Sequence, residues 1–384
     1  MIIPRERKLV RFYVELDTVA GPVGRNLTAD DIVETAQRII SPYTLRHGSC
    51  EWHTTYRIGQ RIAEKYSLYS RIFLAGDAVH TNSPKAGLGM NVSMQDSFNL
   101  GWKLGLVIKG IMRPSILDSY EAERRSVAVS LVTYDESFSR RFVTLQKSDA
   151  SQESDSEYAE GFRRALDEGH EDTSGLTVSY SVSGSINGGV PKRSSQEDGE
   201  SLVLRVGSRM PDCQVVKQSD GRPHGLLDLL ACDGRFRLIV FGGQVSEMNQ
   251  LDRLRQFAES LQECLQRLQS RFAIPMISIL SVLLVHSSPR HDIEFFDLPE
   301  IFRPFSEQEG WAYDKIFADD YSYRSGHGEA YTRLGIGRES GHLALVRPDH
   351  HVEVLVDLDQ LPTVEDYFQS RLMTKSDRKA ALPN

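Results

Sequence analysis

The four cysteines of the chain stand at positions 50, 213, 232 and 264, and no two of them form a Cys-x-x-Cys pair. That spacing excludes a zinc knuckle and a thioredoxin-type redox couple, and it suits four reduced thiols. Basic charge is in short supply too. The 45 Lys and Arg are outnumbered by 53 Asp and Glu, for a net charge of −8. No basic face is expected for a nucleic acid, and no polybasic stretch for a membrane surface. The longest apolar run, FAIPMISILSVLLV at 272–285, is too short for a membrane span and contains Pro275, so it is read as a buried strand. The opening MIIPRERKLV puts charges where a secretory signal needs apolar residues, and the expected location is cytoplasmic. No Gly-x-Ser-x-Gly elbow supports serine hydrolase chemistry. No metal site is expected: His350-His351 has no acid or cysteine at ligand spacing and reads as a solvated turn, and His80 reads as loop packing.

What is present is ordinary globular material. Hydrophobic residues make up 40% and charged residues 26% of 384, enough for two or three domains. KLVRFYVEL at 8–16 reads as a strand. TADDIVETAQRII at 28–40 reads as a helix capped by Thr28, with Ile32, Val33, Ala36, Ile39 and Ile40 as its stripe and Pro42 as its stop. EWHTTYRIGQRIAEKY at 51–66 begins as strand and ends as a short helix. RIFLAGD is the next buried strand. Met90 to Lys109 is helical, with Met94, Phe98, Trp102 and Leu106 toward the core, Gly101 and Gly105 placed for close backbone approach, and Gly110 as the stop. A further helix runs from about Ser115 to Arg141, with SYEAERR on its charged side. Residues 146–200 are rich in Ser, Asp, Glu and Gly and read as a linker. From 201 the pattern is strand (RFRLIVFGG), amphipathic helix (QVSEMNQLDRLRQFAESLQECLQRLQSRF), strand (PMISILSVLLVH) and a hairpin (HLALVRPDHHVEVLV), an α/β layout of thioredoxin-like type.

One stretch asks for a ligand. RIFLAGDAVHTNSPKAGLGMN, 71–91, runs from an apolar strand into Gly76-Asp77, then a loop with Gly87 and Gly89, then a helix. A carboxylate at a strand end can accept hydrogen bonds from sugar hydroxyls. Glycines let a bulky ligand approach the main chain, and the helix start favours negative charge. It is not the dinucleotide fingerprint, since Val92 stands where the third glycine would be.

The longer string RIFLAGDAVH…P…AGLGMN…QD…NLGWKL resembles the second flavin motif of the FAD-dependent aromatic hydroxylases. The resemblance implies that Gly76 and Asp77 contact the ribityl and pyrophosphate portion of FAD. It also implies that Pro84, Gly87, Leu88, Gly89, Met90 and Asn91 lie against the isoalloxazine ring. IIPRERKLVRFYVEL resembles a substrate-domain strand of the phenol 2-monooxygenase branch, which implies that Arg5 and Tyr13 stand beside flavin and phenol. Their even spacing places both on one face of a regular strand. SYEAERR matches a helix of the same family and is taken as structural. The region from 202 resembles the C-terminal thioredoxin-like domain of the phenol hydroxylases, which has no redox cysteines and serves dimer contacts.

The expected architecture is therefore α/β (α+β). Residues 1–145 form a partial FAD and substrate domain, 146–200 a linker, and 201–384 a thioredoxin-like dimerisation domain. The strand–GxGxxG–helix unit that binds the ADP half of FAD is not among these residues, so the chain corresponds to the C-terminal part of such a hydroxylase. In the complete enzyme the resemblance implies that NADPH reduces FAD and that O2 then supplies one oxygen to a phenolic ring, as a homodimer. The alternative is a non-catalytic interaction protein that keeps the dimerisation domain. Simple phenols, resorcinols and polyketide-type aromatics all remain open as substrates.

Overall fold

The computed structural model describes residues 2–14, 27–55, 59–83, 87–147, 160, 163, 175–180, 203–323, 326–339 and 341–381, with side chains of one long helix followed to residue 137. Pro84 and most of the stretch expected as linker lie outside the described residues. Within that stretch, 175–180 is built into the molecule. The amide of Tyr180 donates to the Gly207 carbonyl at 2.9 Å, and Tyr180 is buried.

The amino-terminal strand is a hairpin rather than one run. Ile2–Pro4 pairs antiparallel with Val10–Phe12, and the chain turns between them with Arg7 and Lys8 at φ 58° and 63°. Helix α1, Ala29–Ile39, starts as its sequence demands: Thr28 Oγ1 accepts from the Asp31 amide, and Asp31 accepts back from the Thr28 amide at 2.8 Å. Its stripe is only partly used, since Ile39 is exposed.

Residues 59–81 form two small ladders, Arg61–Ile62 with His80–Thr81 and Ser67–Leu68 with Ile72–Phe73. No helix ends the 51–66 segment. The Glu121 carboxylate accepts the amides of Tyr66 and Ser67 at 3.1 and 3.3 Å, which holds the chain extended there. The expected buried strand at 72–75 is half-exposed: Phe73 and Ala75 pack inward while Ile72 and Leu74 face out.

Helix α2, Gly89–Ile108, and helix α3, Asp118–Lys147, pack on each other and on the ladders. Gly110, at φ 65°, ends the turn after α2 as expected. Two expectations for these helices fail, the second in part. A Cβ at Gly101 or Gly105 would meet nothing within 4 Å, so no backbone approaches there. Of the expected stripe, Trp102 and Leu106 are buried but Met94 is exposed, and the buried face also carries the polar Asp96, Asn99 and Lys103. On α3, Glu123 and Arg124 of the supposedly charged side are buried as well.

The C-terminal half is built on a seven-stranded sheet. Its order is Val352–Asp357, His342–Val346, Phe236–Gly243, Leu280–His286, Ile316–Ala318, Gln214–Lys217, Pro223–Gly225. Phe236–Gly243, helix Met248–Phe272 and Leu280–His286 form a parallel β-α-β unit, and the hairpin His342–Asp357 adds antiparallel to its edge. That is the thioredoxin-like arrangement the sequence pattern suggests. Every residue of Phe236–Gly243 is buried, so both faces are covered. Phe236, Leu238 and Val240 point to a core shared with Leu254, Leu261 and Phe368. Ile239 and Phe241 point to a second core with Val215, Leu283 and Tyr331. The run 272–285 is not one strand: Phe272 ends the helix, and the strand starts at Leu280.

The two halves meet along α2. Trp102 stands edge-on to Phe236 with ring centroids 5.6 Å apart, and Leu106 joins the same core. Among the described residues no helix is long and apolar enough to cross a membrane.

Candidate functional site

The glycine-acid turn and the start of α2 lie side by side because one buried carboxylate holds both. Gly76 takes φ 61°, and a Cβ there would stand 3.0 Å from Ser93 Cβ on α2, so only glycine brings the turn this close. Its amide donates to Asp96 Oδ2 at 3.0 Å. The His80 Nε2–H donates to the same oxygen at 3.0 Å, and Arg124 Nε donates to the other at 2.7 Å. Asp96, His80 and Arg124 are all fully or almost fully buried. Burial pushes the Asp96 carboxyl up. The His80 bond, the Arg124 charge and the Gly76 amide outweigh it and hold the group below its ordinary range.

Asp77 is exposed on the outer side of this turn, with Ser93 Oγ donating weakly to it at 3.4 Å. Ser83, just before the undescribed 84–86, is tied down by the buried Asp135 of α3, which accepts from its amide at 2.7 Å and its hydroxyl at 2.6 Å. Beyond, Gly87 is exposed at φ 70°, and a Cβ on it would meet nothing within 4 Å. A Cβ on Gly89 would come within 2.8 Å of Asn82 Oδ1, so a side chain there would have to displace the Asn82 amide. Leu88 is buried against Val92 and Leu131 and anchors the helix start. Met90 faces solvent and Asn91 is half-buried. The first turn of α2 carries no acid and no side-chain cap, so its leading amides are covered by neither.

Gly76, Asp77, Gly87, Leu88, Gly89, Met90 and Asn91 are thus gathered around one helix start. Arg5 and Tyr13 are not on one regular strand. Arg5 sits at the turn of the amino-terminal hairpin, its guanidinium 3.2 Å from Glu6, while Tyr13 follows the second strand and receives a long 3.5 Å contact from Arg11. The left-handed Arg7 and Lys8 reverse the chain and remove the one-face argument. Sequence reasoning missed Asp96, Arg124 and Asp135. The first lies in the QD step of the motif and the second in SYEAERR, so each carried a positional signal without a role.

A second buried polar group sits where α2 and α3 meet the C-terminal hairpin. Arg347 donates twice to Glu123, at 2.8 and 2.9 Å, and twice to Asp349, at 2.9 and 2.6 Å. Glu123 also accepts from Lys103 Nζ at 2.8 Å and Asn99 Nδ2 at 2.6 Å. Burial alone would raise Glu123, but the Arg347 and Lys103 charges bring it down to about 2. Lys103 is lowered to about 8 by burial and by Arg347. His350 and His351 belong to this junction, His351 buried and His350 half-buried, rather than standing in a solvated turn. His351 stacks on Tyr180 at 4.2 Å, and His350 Nε2 donates to the Leu230 carbonyl at 2.9 Å. No group of His, Cys, Asp or Glu that could hold a metal occurs among the described residues.

Comparison with known proteins places this geometry. An FAD binding domain family matches residues 1–135, and the phenol hydroxylase C-terminal dimerisation domain family matches 178–376. Phenol 2-monooxygenase of Aspergillus fumigatus is 36% identical over 394 residues, taking in 100% of this chain and 63% of that protein. 3-Hydroxybenzoate 4-monooxygenase of Comamonas testosteroni is 33% identical over 389 residues, 96% of this chain and 59% of that protein. The chain therefore spans less than two thirds of the length of these curated relatives. Among solved structures, CabE, an aromatic hydroxylase from angucycline biosynthesis, shares the fold with a TM-score of 0.53 at 20% identity, over 92% of this chain and 55% of that one. The dimerisation-domain match alone takes in more than half of the residues, and the chain belongs to the FAD-dependent aromatic monooxygenases of the phenol hydroxylase family.

Proposed function

We propose that the protein to which this chain belongs hydroxylates a phenolic aromatic, using FAD, NADPH and O2, and that it works as a homodimer. The observation that carries the reading is the single frame in which Asp96 locks the Gly76–Asp77 turn against α2. The residues present fit the cofactor: an exposed carboxylate, a glycine with open space above it, and a helix start that carries neither an acid nor a side-chain cap. Asp77 would accept hydrogen bonds from ribityl hydroxyls. The amides of the first turn of α2 would face the flavin ring, where they favour its anionic reduced form. Bound FAD supplies the redox chemistry that activates O2, and the protein supplies orientation and electrostatics.

The other residues act around that cofactor. Met90 offers an apolar, adaptable contact at the rim. Arg5 would hold an anionic oxygen and Tyr13 would bond the substrate's phenolic oxygen. With the hairpin separating them, they address the ligand from two places rather than as one pair. Dimerisation through residues 201–384 follows the family description of that region.

The test is equilibrium FAD titration by fluorescence quenching, for the natural polypeptide and for Asp77→Ala combined with Gly89→Val. Tight binding lost in the double variant supports the reading. Equal affinity in both would mean that this loop does not face flavin, and no binding by either would favour the interaction-protein reading.

A further inference from the structure

Adjacent residues on α3 face in different directions. Glu123 turns to the C-terminal hairpin and meets Arg347, while Arg124 turns to the glycine-acid turn and meets Asp96. Tyr180 closes the circuit. Its hydroxyl accepts from Arg124 Nη1 at 3.0 Å, its ring stacks on His351 at 4.2 Å, and the Arg347 guanidinium lies 5.4 Å over that ring. Arg347, Glu123, Tyr180, Arg124 and Asp96 are all at least nine-tenths buried. A chain of direct contacts thus runs from the turn of the C-terminal hairpin to the amide of Gly76.

Adhesion alone does not account for this chain. The halves are already joined by an apolar seam in which Trp102, Leu106 and Met112 enter the core of the sheet. A buried ion pair is poor glue, because desolvation consumes most of its Coulombic gain, and a well-packed apolar substitute often stabilises as much. What charged, bidentate contacts do provide is a fixed relative geometry. Breaking any link leaves a buried group that must move to find water or another partner.

We propose that the C-terminal domain positions the Gly76–Asp77 turn, with Arg347 and Tyr180 as positioning residues that act through Arg124 and Asp96. The domain is then part of the flavin site's framework as well as an oligomerisation module. The consequence for flavin rests on the function proposed above; the mechanical coupling does not.

The experiment uses the natural full-length polypeptide, with Tyr180→Phe, which removes only the hydroxyl, and Arg347→Met, with Arg347→Lys as the conservative variant. Hydrogen–deuterium exchange is followed in peptides covering 74–82 and, as the remote reference, 316–318, which two strands separate from His342–Val346, under conditions where circular dichroism shows every variant folded. The expected result is about tenfold faster exchange at 74–82 with 316–318 unchanged, and partial recovery in Arg347→Lys. FAD affinity, where wild type binds it, is expected to fall about tenfold in Tyr180→Phe, equivalent to about 1.4 kcal/mol. A uniform rise in exchange, or no change at 74–82 in either variant, overturns the coupling. Local acceleration in a protein that binds no FAD would sustain the coupling and remove the flavin reading.

Discussion

Replacing Asp96 by Asn tests the central claim about the site. The two side chains have nearly the same shape, so the change isolates charge and hydrogen-bond polarity. The carboxylate accepts three bonds, from Gly76, His80 and Arg124. Asn offers one acceptor oxygen, and its amino group must face at least one of these donors. Arg124 would keep Tyr180 and two long contacts at 3.4 Å, to the Val92 carbonyl and Gln95, but it would lose its neutralising anion. Leaving one member of a buried ion pair uncompensated costs roughly 3–5 kcal/mol. At roughly 2–4 °C per kcal/mol for a domain of this size, Tm should fall by about 6–20 °C. Thermal unfolding at pH 7, followed by circular dichroism, measures it. The pH dependence supplies a second reading. The folded Asp96 titrates below its ordinary value, so its contribution is present above the unfolded pKa of about 3.9 and is lost as pH falls through the lower folded value. Asp96→Asn should therefore show a shallower acid limb than wild type. A loss under about 1 kcal/mol, with an unchanged acid limb, would mean that Arg124 does not depend on Asp96 and that the frame described here is wrong.

Three other perturbations have defined outcomes. With thiol reagent in native buffer, Cys50 and Cys232, which are exposed, should react quickly, while burial that pushes Cys213 to about 11 and Cys264 to about 12 should keep those two silent; four fast thiols would contradict the burial. Lys103 titrates at about 8 when folded and near 10.4 when unfolded, so between those values the unfolded chain binds more protons and stability should rise with pH; urea midpoints from pH 7.5 to 9.5 should show this component, and Lys103→Met should remove it. Gly101→Ala, in the middle of α2 with open space around it, should stabilise by about 0.5–1 kcal/mol, whereas Gly87→Ala, at φ 70°, should cost about 1–2 kcal/mol of backbone strain; opposite signs in urea unfolding would refute the placement of either glycine.

Sequence was a good guide wherever a period in apolarity has one structural solution. Phe236–Gly243, the helix Met248–Phe272 and the hairpin His342–Asp357 follow directly from continuous or alternating hydrophobic runs, and Thr28 announces α1 by its capping pattern. Legibility ended where buried residues are polar. Val92, Asp96, Asn99, Lys103 and Leu106 recur on one face of α2, yet three of the five are residues that normally mark a surface, so an apolar reading finds Trp102 and Leu106 but joins the exposed Met94 to them. The amino-terminal hairpin was hidden for a different reason: it depends on left-handed Arg7 and Lys8, and neither residue type signals that conformation. Tyr180 was hidden by its neighbours, a lone aromatic in a Ser- and Gly-rich stretch. A ligand loop can be read from sequence because glycine, proline and acid are local requirements of backbone geometry. Its support cannot, because a buried charge is tolerable only beside its partner. Here the partners stand 28 residues apart for Asp96 and Arg124, and 224 apart for Glu123 and Arg347. A polar residue recurring on the core face of a helix is therefore best read as half of a pair, with the other half to be sought among the buried charges of the elements packed against it.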